Sequence, residues 1–527
     1  MLRRRHATFY AILLAYALLM TGCQTLPHRP AAPVSLSMAV SDHPPAPWVQ
    51  SLAQHTQHSD LIYPLIDPLD AFATRVQLIR QAQHSLDLAY YIWGNDLTGT
   101  LMFAELQRAA QRGVRVRLLL DDNNAHAVTP LLLALSHTPN IHIRLFNPMH
   151  IRTPRLLNYV VDFHRAQRRM HGKSMTVDGA VVIIGGRNMS DPYYRVTSDF
   201  FFADLDVMAA GSMLPAMNAS FDRYWNDPLA YPVQGFVRSS ARAQAAAQRR
   251  IDQAQHDPRA ETYIQAIDRN QTLATWLAGG SLANTSNAES VSLHTHAVLV
   301  DDLPIKLARR VPFEQTIGAQ VRAMSGQAQH SLDIISPYVV LEDSGTAALV
   351  DMAKRGVRIR ILTNSLAATD VPALHDFYAR RRITLLQAGV ELYEFKPSAN
   401  SQPISRWRLR EWRGRQSQGS LHAKAISWDG HITYVGSMNL DPRSLMINSE
   451  IGLMVYGSQA SQQVAAAFNQ RVLEMAYRVT LDDQGRVQWT ERQNNGQRVI
   501  HHHEPAAKWK RQWVSTLVGL LPIEYLM

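Results

Sequence analysis

His171-Gly172-Lys173-Ser174-Met175-Thr176-Val177-Asp178-Gly179, followed by Gly185-Gly186-Arg187-Asn188, is written twice in this chain. The second copy reads His422-Ala423-Lys424-Ala425-Ile426-Ser427-Trp428-Asp429-Gly430, then Gly436-Ser437-Met438-Asn439. From 171 to 422 the offset is 251. Upstream, Ala82-Gln83-His84-Ser85-Leu86-Asp87 recurs word for word from Ala328 to Asp333, an offset of 246. Arg112-Gly113-Val114-Arg115-Val116-Arg117 recurs from Arg355 to Arg360 with one change, an offset of 243. Three separate segments at nearly one offset mean two homologous domains.

Each half has the same coarse order. Residues 86–92 predict a buried strand, 101–111 a helix ending at Gly113, and 114–120 a second strand stopped by Asp121-Asp122-Asn123-Asn124. Segments 332–340, 347–355 and 357–362 repeat that order. Strand, helix, strand with buried strands predicts an α/β fold. We expect two similar domains, each a largely parallel central sheet flanked by helices, related by a pseudo-two-fold axis. Their expected spans are 56–230 and 291–505, with a helical linker over 231–290. That linker reads as one or two helices leading to the Gly279-Gly280 break. Asp121 and Asp122 end a strand at the edge where an α/β sheet carries its site, and either contact substrate or cap a helix.

Composition narrows the class. Of 527 residues 46% are apolar, which excludes wholesale disorder, and the single cysteine excludes disulfide frameworks and thiolate metal clusters. The net charge of +10 points to an acidic partner: phosphate, nucleic acid or an anionic membrane. Only seven of the 53 basic residues are lysine, and two of those seven are Lys173 and Lys424.

The ends of the chain suggest a membrane. Arg3, Arg4 and Arg5 precede an apolar run over 9–20, and Met20-Thr21-Gly22-Cys23 follows. This resembles a bacterial lipobox, so residues 1–22 read as a lipoprotein signal peptide and Cys23 as the lipidated residue. Without 1–22 the charge falls by three arginines to +7. Residues 23–55 are proline-rich and read as an extended tether. Residues 506–527 are basic and indole-bearing, then apolar; they read either as a membrane-interface tail or as a helix docking on the body. His501-His502-His503 read as solvated. The expected location is the bacterial cell envelope, lipid-anchored and facing the periplasm. Gln24 after Cys23 hints at outer-membrane sorting without deciding between the two membranes.

The duplicated motif carries the chemistry. On an extended strand residues i and i+2 point the same way, so each histidine and its lysine face one site. Phosphodiester cleavage without metal needs a nucleophile, an acid for the leaving alkoxide, and fixed positive charge for the phosphoryl oxygens. Two imidazoles, two ammonium groups and the amides of Asn188 and Asn439 supply that set.

Here the chain resembles the phospholipase D superfamily, whose signature is HxKxxxxD followed by Gly-[Gly/Ser]-x-Asn once per domain. The resemblance covers roughly residues 60–527. Arg168-Arg169-Met170, Asp441-Pro442-Arg443-Ser444 and Leu520-Leu521-Pro522-Ile523-Glu524 look like the bacterial cardiolipin synthase branch, especially its C-type. The resemblance implies one metal-free active site at the domain interface, with no cofactor. It implies His171 as nucleophile, forming a phosphohistidine, and His422 as general acid and then base.

The carboxylates divide into two groups. Asp178-Gly179 and Asp429-Gly430 lie between apolar runs, which is a hairpin signal; they read as structural or as part of the catalytic set. Asp199 and Glu450 each lie 28 residues after their own copy's histidine, at 171 and 422. Family members carry an acid near this spacing on the histidine ring, so Asp199 is expected on His171 and Glu450 on His422. Gly186 stands where the second copy has Ser437. Arg165, Arg168 and Arg169 precede the first motif, and Arg406-Trp407-Arg408-Leu409-Arg410-Glu411-Trp412-Arg413 the second; they read as phosphate- and interface-binding or as solvated loops.

The first reading is a phosphatidyltransferase making cardiolipin from phosphatidylglycerol and a second phospholipid. The alternative is a phospholipase D that passes the phosphatidyl group to water, and a nuclease comes after that. A scaffold on a dead duplicated fold is disfavoured by the intact histidines, lysines and asparagines. The expected partners are phospholipids and a membrane surface, with no obligatory nucleic acid.

Overall fold

The computed structural model describes residues 28–194, 200–277, 293–397, 418–493 and 495–519. Residues 1–22, expected to be a signal peptide, Cys23, Asp199, Gly279-Gly280, the Arg406–Arg413 stretch and residues 520–527 lie outside them.

The first half contributes strands β1 (Asp60–Leu65), β2 (Ser85–Tyr90), β3 (Arg115–Asp121), β4 (Ile141–Phe146), β5 (Ser174–Val177), β6 (Val181–Gly185), β7 (Phe200–Ala203), β8 (Asp206–Ala210) and β9 (Ala230–Pro232). The second half contributes β10 (Leu293–Asp301), β11 (Ser331–Ile335), β12 (Arg358–Asn364), β13 (Glu391–Phe395), β14 (Gln418–Leu421), β15 (Ala425–Trp428), β16 (Ile432–Gly436), β17 (Ile451–Tyr456), β18 (Ala476–Leu481), β19 (Val487–Arg492) and β20 (Arg498–His501).

The pairing order in the first half is β9-β4-β3-β2-β5-β6-β8-β1. In the second it is β18-β13-β12-β11-β15-β16-β17-β10, with β19 and β20 continuing beyond β18. The two orders correspond strand for strand. β1 and β10 pair antiparallel across the junction, so the two sheets join about a pseudo-two-fold.

Both sheets are mixed, not largely parallel. Only β2, β3 and β4, and their counterparts β11, β12 and β13, run parallel. The strand–helix–strand units require that crossover; the motif strands β5 and β15 are hairpin arms and must run back antiparallel.

The repeated words have a physical reason. Asp87 lies opposite Arg117 in the β2–β3 register, and the guanidinium donates to both carboxylate oxygens at 2.6 and 2.8 Å. Asp333 and Arg360 repeat the pair at 2.6 and 2.6 Å between β11 and β12. Removing one partner of such a buried pair costs about 3–5 kcal/mol, so both words must persist together.

A second lock joins the other two words. The Asp178 carboxylate accepts the backbone N–H groups of Gln83, His84 and Ser85 at 2.9, 2.8 and 2.8 Å. Asp429 does the same for Gln329, His330 and Ser331 at 2.9, 2.7 and 2.8 Å. Both aspartates have positive φ, 50° and 48°, and open the tight turns between β5 and β6 and between β15 and β16.

Two expectations about the flanks change. The proline-rich segment lacks regular structure over 28–39 and is strapped there to the first half; it then forms a 3-10 turn, Val40–Asp42, and a helix, Pro47–His55, that buries Val49 and Leu52. Arg144 and Arg117 donate to the carbonyls of Pro33 and Ser35 at 2.7 and 2.8 Å, and Ser37 N–H reaches Asp222 at 2.8 Å. Residues 28–45 contribute no buried side chain but still offer carbonyls to buried guanidinium groups. Residues 231–277 hold helices Ala241–Asp252, Glu261–Arg269 and Thr272–Leu277, and Ile251, Tyr263 and Trp276 are buried in the first core. They are core-covering helices, beyond the one or two connecting helices expected.

Candidate active site

The two motif strands meet where the halves face each other. His171 sits just before β5, and its N–H donates to Ser449 O at 2.9 Å, immediately before Glu450. His422 sits between β14 and β15, and its N–H donates to Ala203 O at 2.7 Å, immediately before Asp204. β7 and β14 pair parallel, register-matched from Phe200 with Gln418 to Ala203 with Leu421. Each histidine is therefore stitched to the segment that carries an acid of the opposite half.

The acids follow. Glu450 holds His171, with Oε2 2.8 Å and Oε1 3.0 Å from Nδ1. Asp204 holds His422, with Oδ2 2.6 Å from Nδ1. The expected pairing of Glu450 with His422 is thus replaced by a crossed one. Among the described residues the first half's acid is Asp204, and it serves His422, whereas Asp199 was expected on His171. In β6–β8 pairing Gly185 lies opposite Asp206, as Gly436 lies opposite Gly452, so Asp204 is the counterpart of Glu450. The first copy carries five extra residues between histidine and acid, and the equal spacing of 28 was a coincidence.

Lysine geometry is repeated. Nζ of Lys173 donates to His171 O at 2.5 Å, and Nζ of Lys424 donates to His422 O. Lys424 Nζ also lies 2.8 Å from His422 Nδ1. The asparagines differ. Asn188 is committed at both ends: Oδ1 accepts Ile92 N–H at 3.0 Å and Nδ2 donates to Tyr193 OH at 2.7 Å. Asn439 is buried, and its Oδ1 has no protein partner among the described residues.

Burial and crowding set the charges. Burial lowers His171 to about 4 against the pull of Glu450, and takes His422 well below its ordinary value with help from Lys424. Burial lowers Lys424 to about 8, and Lys173 falls well below its usual range. Glu450 lies below the ordinary carboxyl value: burial opposes ionisation, but His171 and Lys173 outweigh it. Burial pushes Asp204 up despite Lys424. Burial thus disfavours the positive forms of these groups, and a phosphodiester anion beside them would favour protonated imidazoles and ammonium groups.

Supporting residues that sequence reasoning missed lie behind the acids. Ser437 Oγ donates to Glu450 Oε2 at 2.5 Å, and Asp302 Oδ2 accepts Glu450 N–H at 2.9 Å. Lys306, another of the seven lysines, pairs with that Asp302 at 2.7 Å. Arg187 donates to Asp204 O at 2.6 Å. The scarcity of lysine was the one signal pointing to Lys306. Aromatic rings line the imidazoles: Tyr91 packs edge-on to His171 at 4.9 Å, and Tyr193 to His422 at 5.2 Å.

Asp178 and Asp429 lie in the turns already described, with their carboxylates on backbone N–H groups. Asp121 accepts Met170 N–H at 2.9 Å, next to His171, and Asp122 accepts Met149 N–H at 2.7 Å and pairs with Arg152. They brace the 149–170 segment. One grouping with metal-ligand character, His375 with Glu394 and Glu504, is threaded by the Arg382 guanidinium, which already supplies the cation.

Comparison with known proteins identifies the family. The family description "Cardiolipin synthase, PLD-like domain" matches residues 76–225 and 321–472. Cardiolipin synthase C of Escherichia coli is 38% identical over 467 residues, covering 88% of this chain and 96% of that protein. A cardiolipin synthase of Staphylococcus aureus is 23% identical over 76% of this chain and 65% of its own length. The crystal structure of a phosphatidylserine synthase from Haemophilus influenzae superposes with a TM-score of 0.54 at 14% identity, covering 91% of this chain and all of that one, so it shares the fold. Two matched domains, the duplicated motif at their interface and the full-length relative together place this chain in the phospholipase D superfamily, in its cardiolipin synthase branch.

Proposed function

We propose that this protein is a phosphatidyltransferase that makes cardiolipin from phosphatidylglycerol and a second phospholipid. The observation that carries the reading is the crossed pair of His–acid dyads at the domain interface. Two buried imidazoles, each with Nδ1 on a carboxylate, leave both Nε2 atoms for chemistry at one phosphorus.

His171 Nε2 attacks the donor phosphorus, and the bond to the leaving alcohol oxygen breaks. His422 Nε2–H gives that oxygen its proton. The phosphohistidine carries the phosphatidyl group while the alcohol leaves. The acceptor hydroxyl then loses its proton to His422 and attacks phosphorus, and the N–P bond breaks. Glu450 is held ionised and balances the positive ring of the phosphohistidine, which favours His171 as the nucleophile. Lys173, Lys424 and Asn439 face the non-bridging oxygens, while Asn188 and the turn aspartates act through position. Bond energy is conserved in the intermediate, so no nucleotide is needed, which suits an exported enzyme. Acceptor choice rests on keeping water from the intermediate.

The anchor belongs to the same reading. Cys23 would carry lipid and hold the body at the periplasmic side of the envelope. Among the described residues no helix is long and apolar enough to cross a membrane. Helix Trp509–Gly519 docks beside helix Pro372–Ala379 through Arg511, which reaches Thr369 O at 2.6 Å, and leaves Trp513 exposed for the interface. Loss of palmitate labelling in Cys23→Ser tests the anchor.

Lipid mass spectrometry of a cardiolipin-free bacterial strain expressing the protein tests the activity. Cardiolipin with the parent chain, and none with His171→Ala or His422→Ala, is the expected result. Phosphatidic acid in place of cardiolipin would make water the acceptor and the enzyme a phospholipase D.

A further inference from the structure

The segment between β4 and β5 carries an apolar surface that the chemistry does not use. Leu156 is 77% exposed, Leu157 44% and Val160 47%, all on consecutive short helical turns of residues 155–161. Isolated exposed leucines need no explanation, but three within five residues form a patch. The segment is held firmly: Asn158 Nδ2 donates to Ile151 O and Arg155 O at 2.7 Å each, and Arg155 donates to Asp122 O at 2.6 Å. The apolar side chains are thus presented by a fixed scaffold.

Their position relative to the site is defined by a chain of contacts. Tyr159 OH donates to Asn123 Oδ1 at 3.2 Å. The neighbouring Asn124 lies close to Tyr91, whose ring packs against His171. The patch therefore lies at the C-terminal edge of β3, on the rim of the site. On the opposite rim, Arg511 fastens the C-terminal helix to Thr369 O, and the next residue, Asp370, accepts Tyr338 OH at 2.7 Å beyond the C-terminal edge of β12. That helix leaves Trp513 63% exposed. Apolar side chains thus flank the two histidines on equivalent edges of the two sheets.

The surroundings select the occupant. Of the five arginines in residues 149–170, Arg169 is buried against Asp121, Arg152 and Arg155 pair with Asp122, Arg165 pairs with Asp162, and Arg168 is half-buried. Arg168 donates to Lys306 O at 3.0 Å, bringing the exposed Arg309 and Arg310 beside this segment. Apolar side chains beside the exposed Arg309 and Arg310 match the boundary between acyl chains and anionic headgroups, where leucine enters the apolar layer and arginine meets phosphate.

We infer that Leu156, Leu157 and Val160 form a docking surface that seats the mouth of the active site on an anionic phospholipid bilayer. Tether and docking surface then do different work: one keeps the protein near the membrane, the other turns the site toward it. This deepens the phospholipid reading of the site and rests on it.

The lone cysteine makes a direct test possible. Full-length protein with Cys23→Ser and Leu156→Cys carries one thiol for an environment-sensitive fluorophore. A matching protein with Gln484→Cys places the probe in the β18–β19 turn, which lies at the N-terminal edge of β13, away from the site. Vesicles of phosphatidylglycerol should raise and blue-shift emission at position 156 and leave position 484 unchanged. Adding Leu157→Asp and Val160→Asp should weaken the vesicle response about tenfold. No response at 156, an equal response at 484, or a rise at 156 with protein concentration alone (a second copy as occupant) would each overturn the inference. Cardiolipin formation is measured on the same samples: a silent probe with normal product defeats only the docking surface, and a responsive probe without product defeats only the phosphatidyltransferase.

Discussion

The two halves share strand order, both sequence locks and the His-x-Lys geometry, yet they hold their acids differently. In the second half Glu450 has a long side chain, a Ser437 hydroxyl on one oxygen, and the Asp302–Lys306 pair behind its N–H. In the first half Asp204 is one methylene shorter, and Gly186 stands in place of serine because a Cβ there would lie 2.1 Å from Asp204 Oδ1. The acid fills the space that the hydroxyl takes in the other copy. One carboxylate is thereby kept ionised beside His171, and the other is pushed toward protonation beside His422. Duplication supplied two similar frames, and the changes at 186 and 204 made their histidines unequal.

The largest expected effect comes from removing the better-held acid. Glu450→Gln should lower kcat about 10³-fold or more, the scale seen when a His-orienting carboxylate is lost, with an unchanged melting profile. Asp204→Asn should cost less; equal losses would remove the assigned division of roles. Next is Gly186→Ser, which looks conservative because the other half uses serine. It should displace Asp204 from His422 and lower kcat about 10²-fold, while Ser437→Gly costs under about tenfold. A neutral Gly186→Ser would break the comparison.

A pH profile sharpens it further. Lys424 loses its proton at about 8, and deprotonation removes positive charge from the phosphoryl oxygens. Activity should therefore decline above about pH 8, mainly through a rising KM, and Lys424→Arg should abolish that limb whatever its remaining rate. His171 is neutral above about 4, so nucleophile protonation should not limit the rate at neutral pH.

The smallest catalytic effects belong to the turn aspartates. Asp178→Asn and Asp429→Asn should destabilise by about 1–3 kcal/mol, with kcat of the folded protein within a few-fold of the parent. Asp178, only 5% exposed, should be the costlier loss. Burial opposes ionisation of Asp429, but its backbone donors outweigh it and depress its value. The stability it adds is present above the ordinary carboxylate range and disappears as pH falls through its lowered value. Chemical denaturation at pH 7 and pH 3 reads this directly.

The duplication, the paired histidines and lysines, and the turns at Asp178 and Asp429 were legible because each is a local pattern written twice. The crossing of the acids was not, because spacing within one copy says nothing about which half the acid serves. The equal 28-residue intervals pointed to Asp199; aligning the strands after each Gly-[Gly/Ser]-x-Asn would have aligned Asp204 with Glu450. The mixed sheet was hidden for a related reason: hydrophobic runs mark a buried strand without giving its direction. The docked proline-rich segment was missed because its proline content masks the short apolar face of helix Pro47–His55 and says nothing of partners for its carbonyls.

The crossed dyads also govern timing. Chains are made from the N-terminus, and domains tend to fold as units in that order. A newly made first half presents His171 and Lys173 but must wait for Glu450, nearly 280 positions later, before the imidazole is oriented. A truncated or half-folded product can therefore hold both groups of the first motif and remain inert toward phospholipid.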